Sequence, residues 1–440
     1  MTKSEALLKE NSKYVPGGVA SINRLTDPCI CFAKAKGAYM WDLDGNKYID
    51  YHAGFAPHIL GFADKSQDRA VAKALDDGMA LFGSGATADE GELAKLFLKG
   101  LPYADKVQFT NTGSEATAQA IRIARAETGR DHIILMQGGY NGQHNMVCAN
   151  LMTDKAGLGG KQVKGDEYPL VPITAGIPKA EQKFIHAIPF NDLKAVRKVM
   201  KKYKIAALIT EPVLQNIGIV KPQPGYLEGL RKLADQNGFL LIFDEVKTGF
   251  RAGIGGYQTI AKVAPDLSAF GKAFANGYPI AAIAGKQKYM DLAISDNPKK
   301  RVLIAGTYNC HPVAVAAAIA CLTKLRDTKI GAFRHLEKLA KRLEKGQLEL
   351  FAKYDIPVSI VRVGSAHCVY FCKTAPTNWW EVLSNHDFEF DKDYRRRLID
   401  KGIYNFPVPC KQGSISLSHT EKDIDRTLKA IDQVLKAMTK

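Results

Sequence analysis

Between residues 66 and 310 the chain alternates short, unbroken apolar runs with longer segments whose apolar residues recur every three or four positions. KVQFTN, HIILMQ, AALITEP, FLLIFDEV and AAIAG are too short for helices and rich in β-branched or aromatic residues, so they predict strands. EATAQAIRIARAETG and GYLEGLRKLADQNG carry helical spacing. Strands that are apolar at nearly every position are buried on both faces, and their alternation with helices predicts an α/β fold, a mostly parallel sheet flanked by helices. In such a sheet ligands collect at the carboxyl ends of the strands. Ahead of this block, GAYMWDLDGNKYIDY (37–51) predicts a hairpin turned by Asp44, Gly45 and Asn46. Beyond it, a helix over about 311–327 leads to VSIVRVGSAHCVYFCK, SISLSH and a closing helix, EKDIDRTLKAIDQVLKAM. The pattern divides the chain into an N-terminal segment, 1–65, packing with a small domain; a large domain, 66–310; and a small α+β domain, 311–440, that begins with the linking helix.

Composition narrows the class. The chain has 440 residues, 46 % of them hydrophobic and 24 % charged, which suits a two-domain globular protein. No run reaches membrane-spanning length, and MTKSEALLKENSKYVPGG lacks the apolar block of a signal peptide, so a cytoplasmic protein without membrane contact is expected. Eight cysteines are too few for a disulfide framework and form no paired CxxC, so no structural metal is expected. A net charge of +16 suits anionic partners, yet KKYK, PKKR and RRR are short and scattered like solvated faces, which argues against nucleic acid. AGLGGKQ (156–162) and GIGG (253–256) lack the spacing of phosphate or dinucleotide loops and read as ordinary loops.

Candidate chemistry gathers at the ends of the predicted strands. FLLIFDEV drives Asp244 to a carboxyl end, and strand alternation puts Val246 on the same face; the plainer alternative is a solvated acid. In TNTGSEATAQAIRIARA, Thr112 and Glu115 have capping-box spacing, while Gly113, Ser114 and free N–H groups at the positive helix end could hold a phosphate. After HIILMQ, Tyr140 is either a turn tyrosine or a ring laid over a flat heterocycle, with Gly138 and Gly139 giving the backbone room. In LSAFGKAFANG, Lys272 sits among apolar neighbours; desolvation there lowers an ammonium pKa and frees a nucleophilic amine, although most such lysines extend into water. A phosphate cradle, an aromatic platform, a strand-end acid, an aliphatic group and this lysine are together what pyridoxal phosphate requires. The lysine forms a Schiff base with the aldehyde, the acid keeps the pyridine nitrogen protonated, and the helix end holds the phosphate.

FDEVKTGFR (243–251) followed by PDLSAFGKAFANGYPIAAIAG (265–285) resembles the signature of class III, fold-type I pyridoxal-phosphate aminotransferases. WDLDGNKYIDY, TNTGSEATAQAIRIARA, GGYNG, TEPV and GTYNCHPVAVAAA extend the similarity over nearly the whole chain. The resemblance implies Lys272 as the Schiff-base lysine and Asp244 as the ring-nitrogen partner, with Glu211 and Asn216 of TEPVLQN near the cofactor. It implies too that Thr307, with Gly306, reaches the phosphate of the neighbouring subunit's cofactor, making a homodimer the smallest active unit. YVPGGV and SLSHTEKDIDRTL are similar to the glutamate-1-semialdehyde aminomutase-like proteins, in which an arginine after the PGGV holds the substrate carboxylate; Arg24 occupies that place, and a plain surface arginine is the alternative. Two positions depart from that subgroup: Asn141 stands where it usually has histidine, and Lys411 where it tends to have an acid. Both point toward an amino-acid transaminase for β-amino or acidic substrates, in which released Lys272 moves a proton from the substrate carbon to the cofactor's C4′. The alternatives are glutamate-1-semialdehyde 2,1-aminomutase, an amino-acid racemase and, in another class, a non-catalytic protein binding anions or nucleic acid.

Overall fold

All five apolar runs form strands in the computed structural model, which describes residues 2–79 and 85–439. Two shorter strands join them in one seven-stranded sheet. In chain order they are β1 (Lys106–Thr110), β2 (His132–Met136), β3 (Ile185–Ile188), β4 (Ile205–Thr210), β5 (Leu240–Asp244), β6 (Leu267–Phe270) and β7 (Ala281–Gly285). The spatial order is β1-β7-β6-β5-β4-β2-β3, parallel throughout except that β7 runs against both of its neighbours. Every residue of β4 and β5 is buried, as their unbroken apolar sequences require. Helix α1 (Gly113–Thr128) buries Ala116, Ala120 and Ala124, spaced four apart, among Ile133, Ala207, Ile242 and Ile283 of the sheet. Small side chains on that face let the helix approach closely.

The sheet lies in the larger of two units, Ser66–Phe333 with Ala375–His386; the other comprises Met1–Lys65, Arg334–Thr374 and Asp387–Lys440. In this second unit the predicted hairpin is present as Tyr39–Asp42 against Lys47–Asp50. Asp42 Oδ1 accepts from the backbone N–H groups of Asp44 and Asn46, which fixes the turn. Phe32–Lys36 and Ile403–Tyr404 complete this four-stranded sheet, and Ser359–Val363, Ala366–Tyr370 and Gly413–Ser414 form another. The helices Phe388–Asp400 and Glu421–Met438 pack together in the same unit.

Phe388–Asp400 carries a buried ion pair. Arg395 Nε meets Asp391 Oδ1 at 2.6 Å, Arg395 also donates to the carbonyls of Phe406 and Lys411, and Asp391 Oδ2 accepts from Cys410 N. The pair thereby pins the segment that ends at Lys411. Asp391→Ala leaves a buried guanidinium without its charge partner and is expected to destabilise this unit by about 3–5 kcal/mol, whereas an apolar replacement of both partners costs much less. Urea unfolding of the two variants checks this, and equal losses would contradict it.

Candidate active site

Five strands of the large sheet deliver polar side chains to their carboxyl ends. β5 finishes on Asp244, β6 leads within two residues to Lys272, β4 is followed by Glu211, β2 by Tyr140 and Asn141, and β1 by the start of α1. Because β5 and β6 are parallel neighbours, with Asp244 opposite Ala269, the carboxylate and the lysine emerge side by side. Lys272 adopts a left-handed backbone conformation, φ 51°, after an extended Gly271. For a residue with a Cβ that conformation costs about 1–2 kcal/mol.

Charge in this cluster is balanced over buried groups. Asp244 is 3 % exposed, and burial pushes its carboxyl up; hydrogen bonds from Asn141 Nδ2 at 2.9 Å and Val246 N at 3.0 Å pull it back, as do Lys272 and Lys247. Desolvation holds Lys272 below the ordinary lysine range, against the upward pull of Asp244 and Glu211. Glu211 is raised by burial and by the nearby Asp244, although Oε1 accepts from Tyr140 N and Asn216 Nδ2 and Oε2 from Gln215 N. Lys247 Nζ donates to Gln215 O at 2.8 Å, tying the loop after β5 to the loop after β4. Sequence reasoning missed Lys247 and Gln215 because this contact joins two loops whose spacing along the chain encodes nothing.

The start of α1 has the predicted capping box, with Thr112 Oγ1 accepting from Glu115 N. The N–H groups of Gly113 and Ser114 make no hydrogen bond among the described residues. Ser114 Oγ accepts from Gln143 N at 3.1 Å, which docks the loop of half-buried Tyr140 against the helix end. Strand alternation had put Val246 on the face of Asp244, yet β5 stops at Asp244 and Val246 lies in the following turn. It stands against Gly113 and Gly271, where an added Cβ would come within 3.0 and 3.4 Å of its methyl groups. Gly142, at φ +124°, lets the loop approach: a Cβ there would lie 3.1 Å from Ser114 Cα and Thr117 Oγ1. Gly142→Ala is expected to lower the unfolding free energy by about 1–3 kcal/mol, and a denaturation midpoint equal to wild type would refute that.

Other expected site residues have other settings. Thr307 is exposed, in a turn tied to the approach of α1 by Asn111 Nδ2 donating to Asn309 Oδ1 at 3.0 Å. Arg24 is exposed on the short turn Ile22–Arg24 of the second unit. Lys411 belongs to that unit as well and lines a cavity of about 30 Å³ with His367, Tyr394 and Arg395, room for one or two waters. Among the described residues no helix is long and apolar enough to cross a membrane. The 156–162 segment is an irregular loop with turns, as expected, whereas in 253–256 Gly253 bridges to Gly249 and Gly256 opens the short helix Gly256–Ala261.

Residues 21–435 match the family described as aminotransferase class-III. An omega-transaminase from Sphaerobacter thermophilus is similar at 26 % identity and TM-score 0.91, over 99 % of this chain and 97 % of that one. A beta-phenylalanine aminotransferase from Variovorax paradoxus is 26 % identical at TM-score 0.83, over 99 % and 94 %. A glutamate-1-semialdehyde-aminomutase from Pseudomonas aeruginosa PAO1, 23 % identical over 98 % and 94 %, shares the fold at TM-score 0.84.

Proposed function

This chain belongs to the aminotransferase class-III family, whose members depend on pyridoxal phosphate, and from that premise we propose that it moves an amino group from an amino acid to a 2-oxo acid in a two-stage, ping-pong cycle. The donor set fits the cofactor. Backbone N–H groups of Gly113 and Ser114, opening a helix of 16 residues, suit a phosphate, with Ser114 Oγ beside them. Asp244 suits a protonated ring nitrogen, Lys272 an aldehyde, and Tyr140 and Val246 the two faces of a flat ring.

When bound, pyridoxal phosphate supplies an aldehyde that takes up amino groups and a ring that accepts the electron pair left on the substrate carbon. Lys272 Nζ takes the proton from that carbon, which requires a neutral amine, and its burial favours the neutral form. Asp244 keeps the ring-nitrogen proton in place. Glu211 accepts from Tyr140 N, Asn216 Nδ2 and Gln215 N, and would thereby hold Tyr140 and Asn216 in place for a bound ring. In this reading Arg24 and Lys411 bind the substrate carboxylate, and Thr307 serves the cofactor phosphate of a second copy, so a homodimer is the active unit. The cytoplasm is the proposed location.

The observation that carries the reading is the left-handed backbone of Lys272 beside Asp244. Strain of this kind persists where the surroundings over-determine it, commonly at active sites. Acidic and β-amino acids are the proposed donors, because Lys411 replaces an acid and a β-phenylalanine enzyme is among the similar structures. The test supplies α-, β- and ω-amino donors with pyruvate or 2-oxoglutarate and follows formation of alanine or glutamate. Isomerisation of a single substrate without an acceptor would indicate the aminomutase instead, and loss of chirality alone a racemase.

A further inference from the structure

Asn141 is 3 % exposed, and its Nδ2 donates to Asp244 Oδ2 while Val246 N donates to Oδ1. Each carboxylate oxygen thus has one donor, each from a different loop, and neither donor titrates in the physiological range. The Asn141 backbone is fixed in turn by Thr117 Oγ1 of α1, which donates to Asn141 O at 2.6 Å and lies 3.1 Å from His144 Nε2. Lys272 and Lys247 also face Asp244 and favour its charged form; Glu211 and Glu245 oppose them, and the Tyr140 hydroxyl feels its charge. A buried carboxyl without fixed donors would retain its proton.

We propose that Asn141 is a positioning residue, holding Asp244 in one orientation and in its ionised form through a donor of constant charge, so that Asp244 alone governs the proton on the cofactor's ring nitrogen. An imidazole at this place would add a second group titrating near neutrality, and an amide adds none. The proposal rests on the reading of Asp244 as the ring-nitrogen partner.

The test compares holoenzyme reconstituted with pyridoxal phosphate for wild type, Asn141→Leu, Asn141→His and Asp244→Asn. Three quantities are read: the visible absorbance of the bound cofactor from about pH 5 to 9, the Kd for pyridoxal phosphate, and the thermal midpoint of the apoprotein. Asn141→Leu is expected to move the absorbance transition by about one pH unit or more and to weaken cofactor binding roughly tenfold, the worth of one hydrogen bond to a charged group. Asn141→His restores affinity and introduces a second inflection between about pH 5 and 8. Coincident absorbance titrations for wild type and Asn141→Leu overturn the proposal, even if affinity or thermal stability falls, since a purely structural role would change only those. If Asp244→Asn also leaves the titration unaltered, the fault lies with the reading of Asp244, so the two failures are distinguishable.

Discussion

Lys272→Ala lowers kcat/KM for amino transfer by a factor on the order of 10⁴ or more, and its apoprotein melts no lower than wild type. The first effect follows from the proposed double duty of one amine, holding the cofactor and moving the proton on the substrate carbon; loss of a general base alone is worth roughly 10²–10⁴. The second follows from the environment. Desolvation works against the ammonium, and the backbone at φ 51° is strained for any residue with a Cβ. Removing the amine relieves the first cost, and Lys272→Gly relieves both, so the glycine variant should gain about 1 kcal/mol over alanine. Borohydride reduction followed by peptide mapping should label Lys272 in wild type and nothing in the variants. Turnover within tenfold of wild type, or a label on another lysine, would remove Lys272 from the centre of the mechanism.

Asp244→Asn preserves shape and removes charge, and is expected to lower kcat/KM roughly 10²–10³-fold, as when one electrostatic stabiliser is lost from a preorganised site. Its effect on Lys272 has a definite sign. Asp244 and Glu211 raise the Lys272 pKa against the desolvation that lowers it. With Asp244 neutral, the Lys272 pKa falls further, and the amine in the apoprotein reacts with an acylating reagent at lower pH than in wild type. An unchanged reactivity profile would show that the two groups do not share a field, and an upward shift would contradict the stated sign.

Much of this arrangement was legible in the sequence because the apolar pattern forces it. Runs such as IAALIT and LLIFD have no polar face to give to water, so they enter a sheet with both sides covered, and whatever follows them lies at a carboxyl end. Asp244 and Tyr140 stand out in that way, whereas Glu211 came from the family resemblance of TEPVLQN. β6 was not, for it has only four residues, LSAF, one of them polar, and too few positions to establish a period. β3, IHAI, escaped for the same reason; its His186 bonds Glu167 at 2.8 Å, a contact from outside the strand. The twist of Lys272 into left-handed space and the Lys247–Gln215 tie depend on how loops meet, which periodicity does not carry. The family resemblance drew attention to Thr307 and Arg24, and to Lys411 as a departure from it; no local pattern would have selected any of them.

Strand β7, opposed to its neighbours, gives the sheet a practical polarity. Its first residue pairs near the chemistry and its last, Gly285, pairs with Lys106 and Leu267 at the amino ends of the adjoining strands. The exposed stretch from 296 to 300 follows that rear end of β7 in the chain. An immobilising tether or a fused reporter attached at exposed Lys299 or Lys300 would therefore join the chain past the rear end of β7, apart in sequence from the strand ends that carry Asp244 and Lys272.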